Sequence, residues 1–322
     1  MLRRTTQEPF SMTKAQQGLQ GAELEATGFN GVLGAVQTYL SERFPVSHAG
    51  AVLSGYMCCY LLYGQAHGHQ VFQWETVVGG VTVVLLALFL RMVDDIEDLR
   101  EDIRTGRFSF GDGGRSHLRG LILGGGATMA LAAVLNATCS LGMLAASVGV
   151  AVWCPAVLVI KKTAAAKSLQ YFVVETGPAV FLLYSYVVWT EASDGSVPLM
   201  AVVAIVGLFW TAFQFWSFTR KLGTENWSPW GLSVSETRSA LIGLLALAAL
   251  CSVLIAHYAH LTLGYSLYGL ALSAVFISLV LRWWSSQLPA PEPDRVGAPW
   301  AGLPFALAVT GGVLAAVLVS SL

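Results

Sequence analysis

Nine apolar segments of about 20 residues alternate with polar stretches along the chain, and about 20 apolar residues let a helix cross a bilayer. They predict transmembrane helices at 47–66, 71–93, 117–136, 141–160, 169–190, 197–217, 238–257, 262–283 and 299–321. The predicted fold class is therefore all-α, a polytopic membrane protein with nine transmembrane helices. Residues 1–45 are predicted to form a polar N-terminal segment, and residues 46–322 the transmembrane domain.

Composition excludes several other classes of protein. Hydrophobic residues make up 55% of the chain and charged residues only 11%, with a mean hydropathy of +0.63. Soluble domains carry about 25% charged residues. A soluble globular protein, a disordered chain and a free-standing nucleic-acid binder are therefore excluded, whereas a net charge of −1 says nothing about partners.

The basic residues predict the orientation in the cell membrane. All 18 lysines and arginines fall in the N-terminal segment or in and around the loops on one side of the nine predicted spans. The loops on the other side, at 67–70, 137–140, 191–196 and 258–261, contain none. Since cytoplasmic loops are enriched in Lys and Arg, we expect a cytoplasmic N-terminus and a C-terminus outside.

Acidic residues concentrate where the second predicted span ends, with six of the 19 acids between Asp94 and Asp102. On a helix, Asp94, Asp95, Asp98 and Asp102 share an arc of about 100°. Like charges this close are destabilising unless a positive charge lies among them. Mg²⁺ prefers oxygen ligands and often binds carboxylates together with substrate phosphates. The arc therefore predicts a Mg²⁺ site; the alternative is a solvated, charged helix end.

Basic residues near the same membrane face complement the acids. Lys161 and Lys162 end the fourth span, Arg220 and Lys221 follow the sixth, and Arg91 lies one turn deeper than Asp94. These cations are suited to the oxygens of a diphosphate bridged by Mg²⁺ to the acids. The alternative is that they merely flank the spans.

One carboxylate is predicted to lie within the membrane. Glu175 falls inside the fifth span, one turn after Tyr171, and an intramembrane acid is costly enough to be a functional candidate. Lining of a substrate cavity and hydrogen-bonded packing both remain open for Glu175.

The acidic segment resembles the first aspartate-rich motif of the UbiA superfamily of intramembrane prenyltransferases, N-D-x-x-D-x-x-x-D. Asp95, Asp98 and Asp102 match this motif, and Asp94 stands at the Asn position. The location at the end of span 2 and the nine predicted helices agree with that family. The stretch 41–46 also resembles the E-R-F-P sequence before span 1 in one bacterial branch.

The resemblance implies a UbiA-like bundle with a lateral opening to lipid. It implies that two acidic motifs hold Mg²⁺ and an allylic prenyl diphosphate, whose ionisation gives a cation that a lipophilic acceptor captures. Asp94, Asp95, Asp98 and Asp102 would then be metal ligands, with Asp98, Arg220 and Lys221 as catalytic residues. Tyr171 and Trp216 would line the cavity and stabilise the cation through their rings.

The second motif departs from that family. Ser217, Lys221 and Glu225 stand where D-x-x-x-D is expected after span 6, so only Glu225 is a candidate carboxylate ligand there. Mg²⁺-dependent prenyl transfer to an aromatic or other lipophilic acceptor is the predicted function. A membrane terpene cyclase that needs no acceptor is the alternative. A transporter or lipid-binding protein is less favoured, because coupling sites usually lie at the membrane midplane.

The orientation is tested by cysteine labelling. A cysteine introduced near Gly111 should react with an impermeant reagent applied from the cytoplasmic side, and one near Ser193 only with reagent applied from outside, because all basic residues mark one face. Reversed labelling would contradict both the topology and the common face of the acids and cations.

Overall fold

The computed structural model describes residues 37, 39–41, 43–105, 115–163, 167–221, 234–286 and 302–320, and all regular structure in these ranges is helical. Nine long helices of this part of the chain follow the nine predicted segments in order. They are α1 (Val46–His67), α2 (Trp74–Thr105), α3 (Arg115–Ala137), α4 (Leu141–Thr163), α5 (Lys167–Ser193), α6 (Leu199–Lys221), α7 (Val234–Tyr258), α8 (Leu263–Ser286) and α9 (Gly302–Ser320). The all-α fold class is confirmed.

Local sequence accounts for both ends of α1. Pro45 is extended, with φ −61° and ψ 157°, and disfavours a helical conformation at Phe44, so that α1 begins at Val46. At the other end Gly68 has a φ of 98°, a left-handed conformation that suits glycine, and its N–H donates to the carbonyls of Gly64 and Gln65.

Helix α2 is long enough to extend beyond the membrane. Its 32 residues correspond to about 48 Å, whereas the hydrocarbon core is about 30 Å thick. Its apolar stretch is Trp74–Ile96, so residues 97–105 continue as helix beyond that stretch. We call the end of the bundle where α2 ends the acidic end, and the other the opposite end.

The helices form a closed bundle. Each helix packs against the next in the chain, and α9 packs against α1 and α6. Helix α1 also contacts α5 and α6, and α2 contacts α4 and α5. The short connections after α1, α3, α5 and α7 lie at the opposite end, so α2, α4, α6 and α8 all end at the acidic end.

The outer surface of the bundle is apolar. Exposed side chains such as Leu123 and Val134 on α3 and Leu267 and Val275 on α8 suit contact with lipid rather than water. Within the described residues, α2, α3, α6, α7, α8 and α9 are long and apolar enough to cross a membrane, and α4 has a shorter apolar stretch at Leu141–Val157. The chain is thus a multi-pass membrane protein; the count of nine spans stays a prediction.

Large polar-aromatic side chains fill the opposite half of the bundle. Tyr56, Tyr60 and Tyr63 of α1 and Tyr184 and Trp189 of α5 are all less than 3% exposed. Two of these hydroxyls donate to backbone carbonyls: Tyr60 donates to the Val71 carbonyl at 2.7 Å, and Tyr56 to the Thr76 carbonyl at 2.9 Å. These two bonds join α1 to the start of α2 and to the connection that precedes it.

A buried amide joins three helices in the same half. The Asn136 side chain of α3 donates to the Thr82 hydroxyl of α2 at 2.8 Å and accepts from the Tyr184 hydroxyl of α5 at 2.5 Å. It also donates to the Ala132 carbonyl at 2.7 Å. Because Asn136 is fully buried, these bonds replace water that the site excludes.

Asn136→Ala should lower the free energy of unfolding by about 1–3 kcal/mol, because it leaves the buried Thr82 and Tyr184 hydroxyls without this partner. Thr138→Ala is the matched control. Its hydroxyl bonds the Leu135 carbonyl at an exposed position near the same helix end, so a change within about 0.5 kcal/mol is expected. Unfolding in mixed detergent–SDS micelles measures the free energy of unfolding of both variants. Equal losses in Asn136→Ala and Thr138→Ala would show that the Asn136 amide does not hold the three helices together.

Candidate functional site

The acidic arc predicted from the sequence lies on a continuous helix. Residues 94–105 are helical to the last residue of α2, as the arc requires. The side chains of Asp94 and Asp95 are described, whereas those of Asp98 and Asp102 lie outside the described residues. The helical backbone places positions 94, 95, 98 and 102 within the same arc of about 100°.

Arg91 lies between the two described carboxylates. Its Nη1 donates to Oδ2 of Asp94 at 2.7 Å, and its Nη2 donates to Oδ1 of Asp95 at 2.7 Å. The Asp94 side chain is 47% exposed, and that of Asp95 only 6%. Arg91, predicted to contact a diphosphate, is therefore the positive charge that the arc needs in order to be stable.

Asp95 is also held by the segment that precedes α1. The Tyr39 hydroxyl donates to Oδ2 of Asp95 at 2.8 Å, and Nη1 of Arg43 lies 3.8 Å from Oδ1. Burial raises the pKa of the Tyr39 phenol above its ordinary value, and the bond to Asp95 raises it further. The phenol is therefore protonated at neutral pH and acts as the donor.

Sequence reasoning did not include Tyr39 and Arg43 among the site residues. The signal in the sequence is the E-R-F-P stretch at 42–45, which contains Arg43 and resembles the sequence before span 1 in one branch of the UbiA superfamily. Its Pro45 ends the preceding helical segment, and Tyr39 and Arg43 lie four residues apart on one face of that segment. The distance of 56 residues between Tyr39 and Asp95 hides the contact in the sequence.

The described donors suit a hard cation. Asp94 and Asp95 present oxygen atoms only, and a carboxylate has about four lone-pair sites, so each can accept several contacts at once. This donor chemistry fits Mg²⁺. Among the side chains that the structure describes, no three His, Cys, Asp or Glu residues are grouped to hold a metal. The predicted ligands Asp98 and Asp102 are not among these side chains.

The predicted cations lie on helices that end at the acidic end. The backbones of Lys161 and Lys162 belong to the last turn of α4, and those of Arg220 and Lys221 to the last turn of α6. Their side chains lie outside the described residues, as do those of Tyr171 and Glu175 in the first part of α5. Glu225, in 222–233, lies wholly outside them.

Trp216 is at the contact between α6 and α9. Its ring lies edge-on to Phe213, with centroids 5.7 Å apart. A Cβ built on Gly302 would be 2.7 Å from the Trp216 Cα, so only glycine permits this approach. The structure thus brings Trp216 to the seam with α9, where Phe215, Phe276 and Phe305 also pack with centroids 5.0 to 6.1 Å apart.

A separate recess of about 600 Å³ lies between α1 and α2. Leu53 and Met57 line it from α1, and Thr76, Val81 and Leu85 from α2. The α2 residues of this lining precede the acidic arc by two turns or more, and the lining is almost entirely apolar. The recess is therefore distinct from the charged site.

No family model matches the sequence, and no curated protein matches it significantly. Solved structures do resemble it. A digeranylgeranylglyceryl phosphate synthase is 16% identical with a TM-score of 0.57, covering 88% of this chain and 98% of that one. An apo UbiA homologue from Aeropyrum pernix K1 is 16% identical with a TM-score of 0.58, covering 85% and 98%.

A UbiA homologue from Archaeoglobus fulgidus, bound to GPP and Mg²⁺, is 14% identical with a TM-score of 0.50, and covers 85% of this chain and 99% of that one. At these identities the likeness concerns the fold, over nearly the full length of each neighbour. The chain therefore has the UbiA-type fold that its acidic motif predicts.

Proposed function

We propose that this protein is a Mg²⁺-dependent intramembrane prenyltransferase that moves a prenyl group from an allylic diphosphate to a lipophilic acceptor. The observation that carries the proposal is the carboxylate arc at the end of α2, with Asp94 and Asp95 already paired to Arg91. The arc lies in a bundle whose neighbour from Archaeoglobus fulgidus is bound to GPP and Mg²⁺. The carboxylate arc and the fold thus both favour a Mg²⁺-dependent reaction of a prenyl diphosphate.

In this proposal, the carboxylates of Asp94, Asp95, Asp98 and Asp102 hold the metal, with Glu225 as the ligand from the second motif. Bound Mg²⁺ supplies Lewis-acid stabilisation of the departing diphosphate. Asp94 is the more accessible of the two described acids, and Asp95 is the more firmly held. The exposed carboxylate suits exchange of waters and substrate, whereas the buried one fixes the geometry.

The proposed diphosphate contacts come from the helix ends around the arc. Arg220 and Lys221, aided by Lys161 and Lys162, would stabilise the charge that develops on the leaving group. Arg91 can contribute in the same way if it exchanges a carboxylate for a diphosphate oxygen. Tyr171, Glu175 and Trp216 are proposed to line the cavity for the prenyl chain, where aromatic faces stabilise a cation.

The proposed orientation puts the acidic end at the cytoplasmic face. Every lysine and arginine of the chain lies on that side of the predicted topology, including Lys161, Lys162, Arg220 and Lys221. The diphosphate group of the substrate would contact the arc at the cytoplasmic face, and its prenyl chain and the acceptor would lie toward the lipid.

The altered second motif makes a terpene cyclase the second candidate function. Ser217 and Lys221 replace the acids of the second motif, which leaves fewer carboxylates for metal than prenyl transfer in this family normally uses. Membranes containing the protein, incubated with labelled allylic diphosphates of several lengths, distinguish the two. A product that appears only with an aromatic acceptor supports transfer, and an acceptor-independent hydrocarbon or alcohol supports cyclisation.

The same assay tests the metal site through Asp98→Ala. This variant keeps helix propensity while removing a carboxylate from the centre of the arc, so product formation should fall at least about 100-fold. Adding Mg²⁺ should restore little activity, because the geometry is lost as well as affinity.

Glu97→Ala is the matched control. It removes the adjacent acid, about 100° away around the helix and outside the motif, and should change turnover only slightly. Near-normal turnover in Asp98→Ala, with both variants inserted equally in the membrane, would contradict the proposed site and favour a solvated helix end.

A further inference from the structure

The two oxygens of Asp95 have different partners. Oδ1 accepts from Nη2 of Arg91 on the same helix, and Oδ2 accepts from the Tyr39 hydroxyl at 2.8 Å. Arg91 lies one turn before Asp95 on α2, whereas Tyr39 belongs to a different segment of the chain. The carboxylate plane is therefore fixed from two independent directions.

The local structure of the segment around Tyr39 places the Tyr39 hydroxyl at Asp95. The N–H of Phe44 donates to the Leu40 carbonyl at 3.1 Å in a helical pattern, which Pro45 then interrupts. Tyr39 and Arg43, at i and i+4, therefore both face Asp95. The 26% exposed Arg43 side chain adds a positive charge 3.8 Å from Oδ1.

Acceptor capacity remains on both oxygens. Among the described residues, the phenol uses one lone pair of Oδ2 and Arg91 uses one of Oδ1. With about two lone-pair sites on each oxygen, these contacts leave about one on each for a cation. Hydrogen bonds to a ligating carboxylate orient it, and losing such a partner typically costs about 10–100-fold in metal affinity. A neutral donor does this without adding the repulsion that a further arginine would exert on a divalent ion.

We infer that Tyr39 is a positioning residue for the metal site, which it serves by orienting Asp95 through its hydroxyl. This inference rests on the proposed function, in which Asp95 is a metal ligand. It makes a residue from the segment before α1 part of the site, although Tyr39 itself touches neither metal nor substrate. A purely structural contact would instead affect stability and leave the metal requirement unchanged.

Tyr39→Phe removes only the hydroxyl and tests this directly. In the full-length protein in nanodiscs, the Mn²⁺ affinity, measured from the electron paramagnetic resonance signal of the free ion, should fall about 10–100-fold. The Mg²⁺ concentration for half-maximal activity should rise by a similar factor, with turnover at saturating Mg²⁺ within about threefold of wild type.

Two matched proteins complete the test. 4-Aminophenylalanine at position 39 keeps a donor in the same place and should restore Mn²⁺ affinity to within about threefold of wild type. Tyr268→Phe removes a hydroxyl that donates to the Ala308 carbonyl at 2.6 Å, far from the arc, and should leave Mn²⁺ affinity unchanged. All should unfold near the wild-type temperature without metal.

The outcomes separate this inference from the proposed function. Wild-type protein that binds no Mn²⁺ would overturn the metal site itself, and with it the role of Tyr39. Wild-type protein that binds Mn²⁺ with the same affinity as Tyr39→Phe would overturn only the positioning role. A Tyr39→Phe protein that does not fold would assign the hydroxyl to structure and would also overturn the inference.

Discussion

The concentration of carboxylates where α2 leaves the apolar part of the bundle is the constraint on which the rest of the site depends. Asp94 and Asp95 are adjacent, and Asp95 is almost completely buried, so their mutual repulsion and desolvation must be offset locally. Arg91 bridges them from the same helix, and Arg43 and Tyr39 reach Asp95 from another segment. Three separate partners therefore keep an unfavourable charge arrangement in one geometry.

The bundle divides packing and chemistry between its two ends. Tyr56, Tyr60, Tyr184 and the Asn136 network fill the opposite half with satisfied polar groups and bulky rings, which favours a rigid, closed end. Helices α2, α4 and α6 all end in charged residues at the acidic end. Since α2 is longer than a bilayer requires, it carries its acids beyond the apolar stretch, where the proposed function places the diphosphate of the substrate.

Structural features that depend on neighbouring residues could be predicted from the sequence, whereas contacts between distant segments could not. The length of the apolar segments predicted each of the nine long helices, and helix geometry predicted the arc that begins at Asp94, because both depend on neighbouring residues. The resemblance at Asp95, Asp98 and Asp102 predicted the fold. The Tyr39–Asp95 bond and the Asn136 network depend instead on how helices pack, for which no local pattern exists. The positions of Asp98 and Glu225 relative to a metal remain predictions for the same reason.

The central claim is that the acids at the end of α2 hold a divalent cation together with an allylic diphosphate. The most direct measurement is a crystal structure of the full-length protein with Mn²⁺ and an unreactive allylic thiolodiphosphate, with data collected for the anomalous signal of manganese. The predicted result is an anomalous peak within coordination distance of carboxylate oxygens on the arc, including Asp98, and in contact with the diphosphate. A diphosphate bound elsewhere, or manganese absent from the arc while Arg91 stays paired with Asp94 and Asp95, would contradict the claim.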